Sequence, residues 1–483
     1  MSDSDPDART GTEILNLGQD FPPVSTAAWE AVIQKDLKGA DYEKKLVWRT
    51  DEGLAVRPYY RSENIAGLAA QTSSGPGQFP FVRGDGKAWQ IDQAAVPAAD
   101  AIRADLVLEA GADAIQQLGV ALAAGVERLN ELCKDRPVDI AAREVEFVFA
   151  VGSNYFFEIA KLRAARMLWA QTVNAFAPTD ATSCRMNLHV RTARLNKSFC
   201  DPYTNVLRAT TEAMSAAIGG CETLTVQPFG FEEHLALGVQ RVLAEEAHLN
   251  AVADPAGGSY YIETLTASLA REAWKLFQRI EAAGGYTQAL AAGWLVEEIA
   301  KSRAVREKAV SSRRKAMVGV NNYPDLNGKP LEPVPNPETA ASPFPTFRLA
   351  EPFEKIRERT ARHAAATGHL PKVLLLKRGD VKMRTARANF ALNFFGCAGF
   401  AVAESEEYAG TDADLLILCS SDPEYLPFAQ EVCSQSKVPV IVAGNPKDQI
   451  DALKAAGVQG FIHIASDAIE TLTDWQNRLG VRN

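Results

Sequence analysis

Histidine is scarce in this sequence and cysteine carries no pattern. The six histidines (His189, His234, His248, His363, His369 and His463) show no HExxH or comparable spacing, which argues against zinc. Seven cysteines, at 133, 184, 200, 221, 397, 419 and 433, form no CxxC pair and read as the reduced thiols of a cytoplasmic protein. No apolar run reaches the roughly 18 residues of a membrane span. There is no GxSxG, no Walker A and no GxGxxG, so the common nucleophile and nucleotide motifs are missing. Basic blocks are absent too. Lys plus Arg is 51 against 60 Asp plus Glu, and a net charge of −9 argues against nucleic acid or an anionic membrane as partner. The opening Met1-Ser2-Asp3-Ser4-Asp5-Pro6-Asp7 is acidic and polar, unlike a secretory or mitochondrial leader.

What is present is an ordinary globular composition, 47% hydrophobic and 23% charged over 483 residues, enough for about three domains. Residues 1–78 read as an arm. Ser25 can cap a helix carrying Trp29, Ile33 and Leu37 at helical spacing, and Leu46-Val47-Trp48 and Leu54-Ala55-Val56 flank a Gly53 turn as in a hairpin. Such elements are too small for a core of their own. Their large apolar residues call for cover, and the arm is expected to lie across a partner chain.

Residues 79–323 alternate strands with helices, the pattern of a parallel (β/α) barrel. Strands are expected at 88–91, 146–151, 185–190 and 223–226, with helices at 98–110, 115–132, 157–169, 206–218 and 232–247. Four strands over 79–247 are too few for a barrel of about 250 residues, so an incomplete (β/α) TIM-type barrel is predicted. Residues 324–368, rich in proline, read as a linker closed by a helix near 352–366. Residues 369–483 hold five apolar runs, at 373–376, 400–402, 415–418, 438–442 and 460–464. Helical segments separate them, as in a doubly wound flavodoxin-like domain. The fold class is therefore α/β throughout.

Few residues suggest chemistry. Gly152-Ser153-Asn154 follows a strand and could cradle an anion, though a capped βα turn is the plainer reading. His189 falls in the C-terminal half of an expected barrel strand, where such barrels do their chemistry, and Arg191 shares its face. Together they could hold a phosphate or carboxylate, or His189 could be a satisfied core histidine. The loop Arg378-Gly379-Asp380-Val381-Lys382-Met383-Arg384-Thr385-Ala386 has one glycine and no histidine, and reads as structural or interfacial.

Several blocks carry a resemblance. Phe21-Pro22-Pro23, Leu46-Val47-Trp48-Arg49-Thr50-Asp51-Glu52-Gly53, the long Val151-Gly152-Ser153-Asn154-Tyr155-Phe156-Phe157-Glu158-Ile159-Ala160-Lys161-Leu162-Arg163-Ala164-Ala165-Arg166, Asp201-Pro202-Tyr203-Thr204-Asn205-Val206, Asp254-Pro255-Ala256-Gly257-Gly258-Ser259-Tyr260-Tyr261-Ile262-Glu263 and Gly319-Val320-Asn321-Asn322-Tyr323 occur in the order and spacing of methylmalonyl-CoA mutase. The N-terminal arm looks most like that of the small subunit of heterodimeric members. The resemblance implies an arm, an acyl-CoA barrel and a cobalamin-type domain, and a family that interconverts methylmalonyl-CoA and succinyl-CoA with adenosylcobalamin.

This sequence departs from the catalytic pattern. Aligned on Gly379, the cobalamin motif DxHxxG becomes Val381, Met383 and Ala386. Where catalytic chains read His-Cys-Gln-Thr-Ser, this one reads His189-Val190-Arg191-Thr192-Ala193, so His189 and Arg191 are vestigial substrate-site candidates. The Arg-Pro-Trp run after Arg83-Gly84 is missing, and the second to fifth strand–helix units have no counterpart between Ile115 and Val145. The resemblance thus implies a non-catalytic cytoplasmic small subunit that binds no metal or cofactor. Adenosylcobalamin is expected on its large-subunit partner. The alternatives are an active acyl-CoA mutase chain or a free-standing acyl-CoA-binding module.

Overall fold

The computed structural model describes residues 21–93, 97–326, 328, 342–408, 410 and 412–481. The chain divides into two units, 1–59 and 60–483. In the first, Ser25 caps the helix Thr26–Asp36, its Oγ accepting from the Ala28 N–H at 3.2 Å. No residue of that helix is buried, and Trp29 and Val32 are about half exposed, at 47% and 59%. Two short strands, β1 (Trp48–Arg49) and β2 (Ala55–Val56), pair antiparallel around a turn in which Gly53 takes φ 79°. The expected helix and hairpin are both there.

The second unit opens with a parallel sheet of five strands: β3 (Gln90–Ile91), β4 (Ile102–Arg103), β5 (Glu146–Val151), β6 (Asn187–Thr192) and β7 (Thr223–Thr225). Their order is β3-β7-β6-β5-β4, every pair parallel. From β4 to β7 each strand lies beside its successor, as in a singly wound barrel. The last strand then pairs with β3, as the closing seam of a barrel requires. Only β3 and β4, consecutive in the chain, lie at opposite edges among the described residues. Residues 92–101 join them, ten positions where adjacent parallel strands need a crossover of about a dozen or more. The missing units therefore belong between β3 and β4, and not between Ile115 and Val145, where the chain forms the helices Ala114–Leu132 and Val138–Glu144.

A second correction concerns 98–110. The alanine-rich spacing suggests one helix, but Ile102-Arg103 pairs with Phe147-Val148 as β4, and only Ala104–Glu109 is helical. Tertiary pairing outweighs helix propensity here. Likewise β6 runs two residues beyond the expected 185–190, which puts His189 at mid-strand and not near its C-terminal end.

Helices cover the outer face of the sheet. Phe147 projects outward and meets Trp169 of the helix Tyr155–Asn174 edge-on, ring centroids 4.8 Å apart. Gly125 of the helix Ala114–Leu132 fits against both rings. A Cβ there would lie 2.6 Å from Phe147 and 3.0 Å from Trp169, so only glycine permits the approach. The helix Tyr260–Ala282 packs over these two helices from outside.

The C-terminal domain holds β8 (Lys372–Lys377), β9 (Ala401–Ser405), β10 (Leu415–Cys419), β11 (Val440–Ala443) and β12 (Phe461–Ile462) in the all-parallel order β12-β11-β10-β8-β9. That is the flavodoxin order, with a topological switch between β8 and β10. The segment expected to be a surface linker ends as core. Phe344, Phe347, Leu349 and Phe353 are buried, the last on the helix Glu351–Thr367. One apolar cluster runs from Leu108, Ala150, Leu195 and Val310 through Phe347 and Phe353 to Val373, Leu375, Phe394 and Trp475, so the sheet domains share a core.

Candidate functional site

Strand register places a row of side chains on the inner face of the first sheet. Arg103, Val148, His189, Thr223 and Gln90 align across five strands, and Ala150, Arg191 and Thr225 form the next row. Arg103 grips Asp105 with two hydrogen bonds, Nε to Oδ1 at 2.9 Å and Nη2 to Oδ2 at 2.7 Å. Arg191 Nη1 reaches the same carboxylate at 3.4 Å. Thr225 donates its hydroxyl proton to the Asp92 carbonyl at 2.6 Å, so it accepts from His189 Nε2 at 2.9 Å. That bond places the imidazole proton on Nε2 and leaves Nδ1 bare, 3.9 Å from Glu146. Burial, then the Arg191 charge, pushes the His189 pKa below its usual value, so the ring is neutral at neutral pH. Asp105, His189, Arg191 and Thr225 are all buried.

The two sequence candidates thus share one face but do not touch as a pair. Arg191 belongs to a guanidinium–carboxylate–guanidinium group, and His189 to a hydroxyl. Asp105, Arg103 and Thr225, which organise them, are not evident in sequence. Their signal was the alternating Arg103-x-Asp105 and Thr223-x-Thr225, and the first lay in a stretch read as helix. No activated nucleophile accompanies them: burial raises the thiol pKa values of Cys184, Cys200 and Cys221. Among the described residues no cluster could hold a metal ion.

The anion cradle suggested by Gly152-Ser153-Asn154 is filled from within. The Gly152 N–H donates to Glu158 Oε1 at 3.0 Å, and Glu158 pairs with Lys161, which also donates to the Ala150 carbonyl at 2.8 Å. The rest of the long block is equally structural. Arg163 pairs with Asp254 and, at 2.6 Å, with Glu263. Arg166 donates to the carbonyls of Phe81, Val82, Gly219 and Gly220. Beside Arg166, a cavity of about 470 Å³ near the start of β6 also includes Arg143, Arg185 and Glu222, whose pKa burial raises to about 7.

In the C-terminal domain a ligand would sit at the switch between β8 and β10. There Asp380 caps the helix Val381–Gly396, accepting from the Met383 N–H at 2.8 Å. Val381 and Met383 occupy its first turn. Glu424 folds over Gly379, where a Cβ would run into its carboxylate, and accepts from Ser420 Oγ at 2.9 Å and Ser421 Oγ at 2.5 Å. Tyr425 is fully buried behind it, donating to the Ala443 carbonyl at 2.6 Å and accepting from the Ser420 N–H at 3.2 Å. The crevice is thus occupied by the chain's own side chains.

Fold and site together define a two-domain α/β protein, a parallel barrel-type sheet joined to a flavodoxin-order domain with a closed ligand crevice. A family model described as methylmalonyl-CoA mutase matches residues 93–366, and the chain belongs to that family. The "Methylmalonyl-CoA mutase small subunit" of Porphyromonas gingivalis is 31% identical, covering 96% of this chain and 99% of that protein. The protein of the same description from Streptomyces virginiae is 36% identical over 77% of this chain, and the "Probable methylmalonyl-CoA mutase small subunit" of Mycobacterium tuberculosis 33% over 77%. The chain matches 63% of the length of each of those two. The Porphyromonas alignment has 618 positions against 483 residues here, so at least 135 positions, the difference, face a gap. That gap agrees with a sheet whose consecutive strands β3 and β4 stand at opposite edges. No helix among the described residues is long and apolar enough to cross a membrane.

The cobalamin that the family implies does not fit these residues. Met383 offers no imidazole, Val381 no carboxylate, and Glu424 and Tyr425 fill the switch-point crevice.

Proposed function

We propose that this chain is a non-catalytic small subunit that binds no corrin and supports a cobalamin-loaded large subunit in interconverting methylmalonyl-CoA and succinyl-CoA. The observation that carries the reading is the closed β8–β10 crevice, with Glu424 over Gly379 and Met383 in place of a ligating base. The small-subunit descriptions of the relatives supply the role. In this reading His189 and Arg191 are a remnant substrate face, satisfied by Thr225 and Asp105. The partner is the large subunit, reached by the apolar arm in a cytoplasmic heterodimer.

The test is co-expression with a large subunit. The isolated chain should leave the adenosylcobalamin spectrum unchanged and show no mutase turnover, whereas the co-purified complex should turn over. Within that complex, His189→Ala and Arg191→Ala should leave kcat within about twofold, because residues that touch no reacting atom contribute little to the barrier. Turnover by this chain alone, or corrin retained on it through gel filtration, would overturn the proposal.

A further inference from the structure

A cavity of about 490 Å³ lies where residues 313–323 meet the C-terminal domain, lined by Arg313, Asn322, Tyr323, Asn389, Phe390 and His463 among others. Val381, Met383 and Ala386 do not line it. Arg313 is its one charged group. Its guanidinium lies 5.1 Å from the Phe390 ring centroid and 5.6 Å from that of Phe394. Nη2 donates to Asn322 Oδ1 at 2.7 Å, while Nε and Nη1 are buried with no hydrogen-bond partner. No carboxylate of the described residues pairs with it. The groups that act on its charge are Cys397 and Tyr323, and burial pushes its pKa down. Arg313 as a residue is partly exposed, but two buried N–H groups of a cation left without an acceptor are costly, and a structure that retains them invites a counter-charge.

The rest of the polar lining points the same way. His463 Nδ1 accepts from the Ala465 N–H at 3.2 Å, which puts the ring proton on Nε2, a donor with no acceptor among the described residues. The side-chain amide of Asn389, exposed at the rim, makes no hydrogen bond among the described residues and adds two further donors. Arg313 and Tyr323 are also both held in the left-handed region, at φ 58° and 51°. Non-glycine residues adopt that conformation at a cost, and such positions gather at ligand sites.

We propose that this cavity binds a small oxyanion, with Arg313 as counter-charge and His463 and Asn389 as neutral donors. Phosphate is the chemistry that such a donor set fits, either free or carried as an ester on a compact body. The volume exceeds what a lone phosphate fills, and Phe390 and Tyr323 supply walls for such a body. A ligand here would tie the 313–323 segment to the C-terminal domain.

The experiment titrates the full chain with inorganic phosphate and, separately, with ribose 5-phosphate, against chloride at matched ionic strength. Calorimetry and the C–H resonances of His463 are followed together. Saturable binding that shifts His463 is expected, weakened about tenfold or more by Arg313→Gln, since a charge-assisted contact is lost. A second variant, Asn389→Asp, places a carboxylate in the cavity and should abolish binding without lowering the thermal midpoint. Tighter binding of the ester would assign a phosphorylated body, and equal affinities free phosphate. Millimolar phosphate that moves neither readout beyond the chloride control, or binding undiminished in both variants, would overturn the proposal.

Discussion

Replacing Arg163 by Met tests the most specific block of the sequence as an architectural element. Arg163 is fully buried on the helix Tyr155–Asn174 and joins Asp254 and Glu263, themselves buried, across two other segments. Without it, Asp254 keeps Arg83, at 3.1 Å, as its cation among the described residues. Glu263 keeps the Gln71 amide at 2.5 Å and the Gly258 N–H at 2.9 Å but no cation. Removing one partner of a buried pair costs about 3–5 kcal/mol, a large share of the roughly 5–15 kcal/mol of a native protein. Urea unfolding by tryptophan fluorescence should show that deficit. Arg163→Met with Glu263→Gln should recover part of it. A deficit below about 1 kcal/mol would refute the idea that this network holds the domain.

Other perturbations follow from the same coordinates. Glu109 and Glu222 have pKa values raised to about 7 by burial, so each costs stability as pH climbs from the unfolded carboxylate value toward 7. Glu222→Gln should therefore gain roughly 1–3 kcal/mol relative to the parent at pH 8 and little at pH 4, read from urea midpoints. Gly125→Ala should lose about 1–3 kcal/mol, because its methyl must displace Phe147 or Trp169, and a thermal melt would show it. Deleting residues 1–59 should abolish co-purification with the large subunit, since Phe21, Trp29 and Trp48 are exposed there and each is worth roughly 1.5–3 kcal/mol when buried. Unchanged pull-down by the truncated chain would refute the arm's role.

The legible parts of the sequence were those whose local pattern and tertiary environment agree. The C-terminal strands β8, β10 and β11 are buried on both faces, so they read as continuous apolar runs and fall where expected. Strand β4 was invisible because its two residues sit in alanine-rich helical spacing and are fixed only by Phe147 and Val148, more than 40 positions away. The same distance hides the sites. His189 and Arg191 could be named from the sequence, but the partners that define them, Thr225 and Asp105, lie 36 and 86 residues off. The Gly152 turn is the plain βα turn preferred over an anion cradle, but nothing local reveals that Glu158 turns back to accept its N–H. The missing DxHxxG was readable at Val381, Met383 and Ala386. That Glu424, 44 positions beyond Asp380, closes the crevice was not.

The position of the gap bears on what the chain has kept. Removing strands between β3 and β4 leaves the seam β3–β7 and the run from β4 to β7 intact, with both new edges only two residues long. Short edges offer little backbone for unwanted pairing, so the open sheet tolerates its loss. The retained part also carries ties to the C-terminal domain. Ala150, Leu195 and Val310 enter the shared core, Lys308 and Ser311 hold Asp467, and Arg357 reaches back to the Gly319 and Val320 carbonyls. A barrel that encloses a substrate needs all its strands, because the enclosure is the closed ring itself. A scaffold that braces a second domain needs only the strands and helices in contact with it. The open sheet keeps that second set and lacks the closed ring of the first.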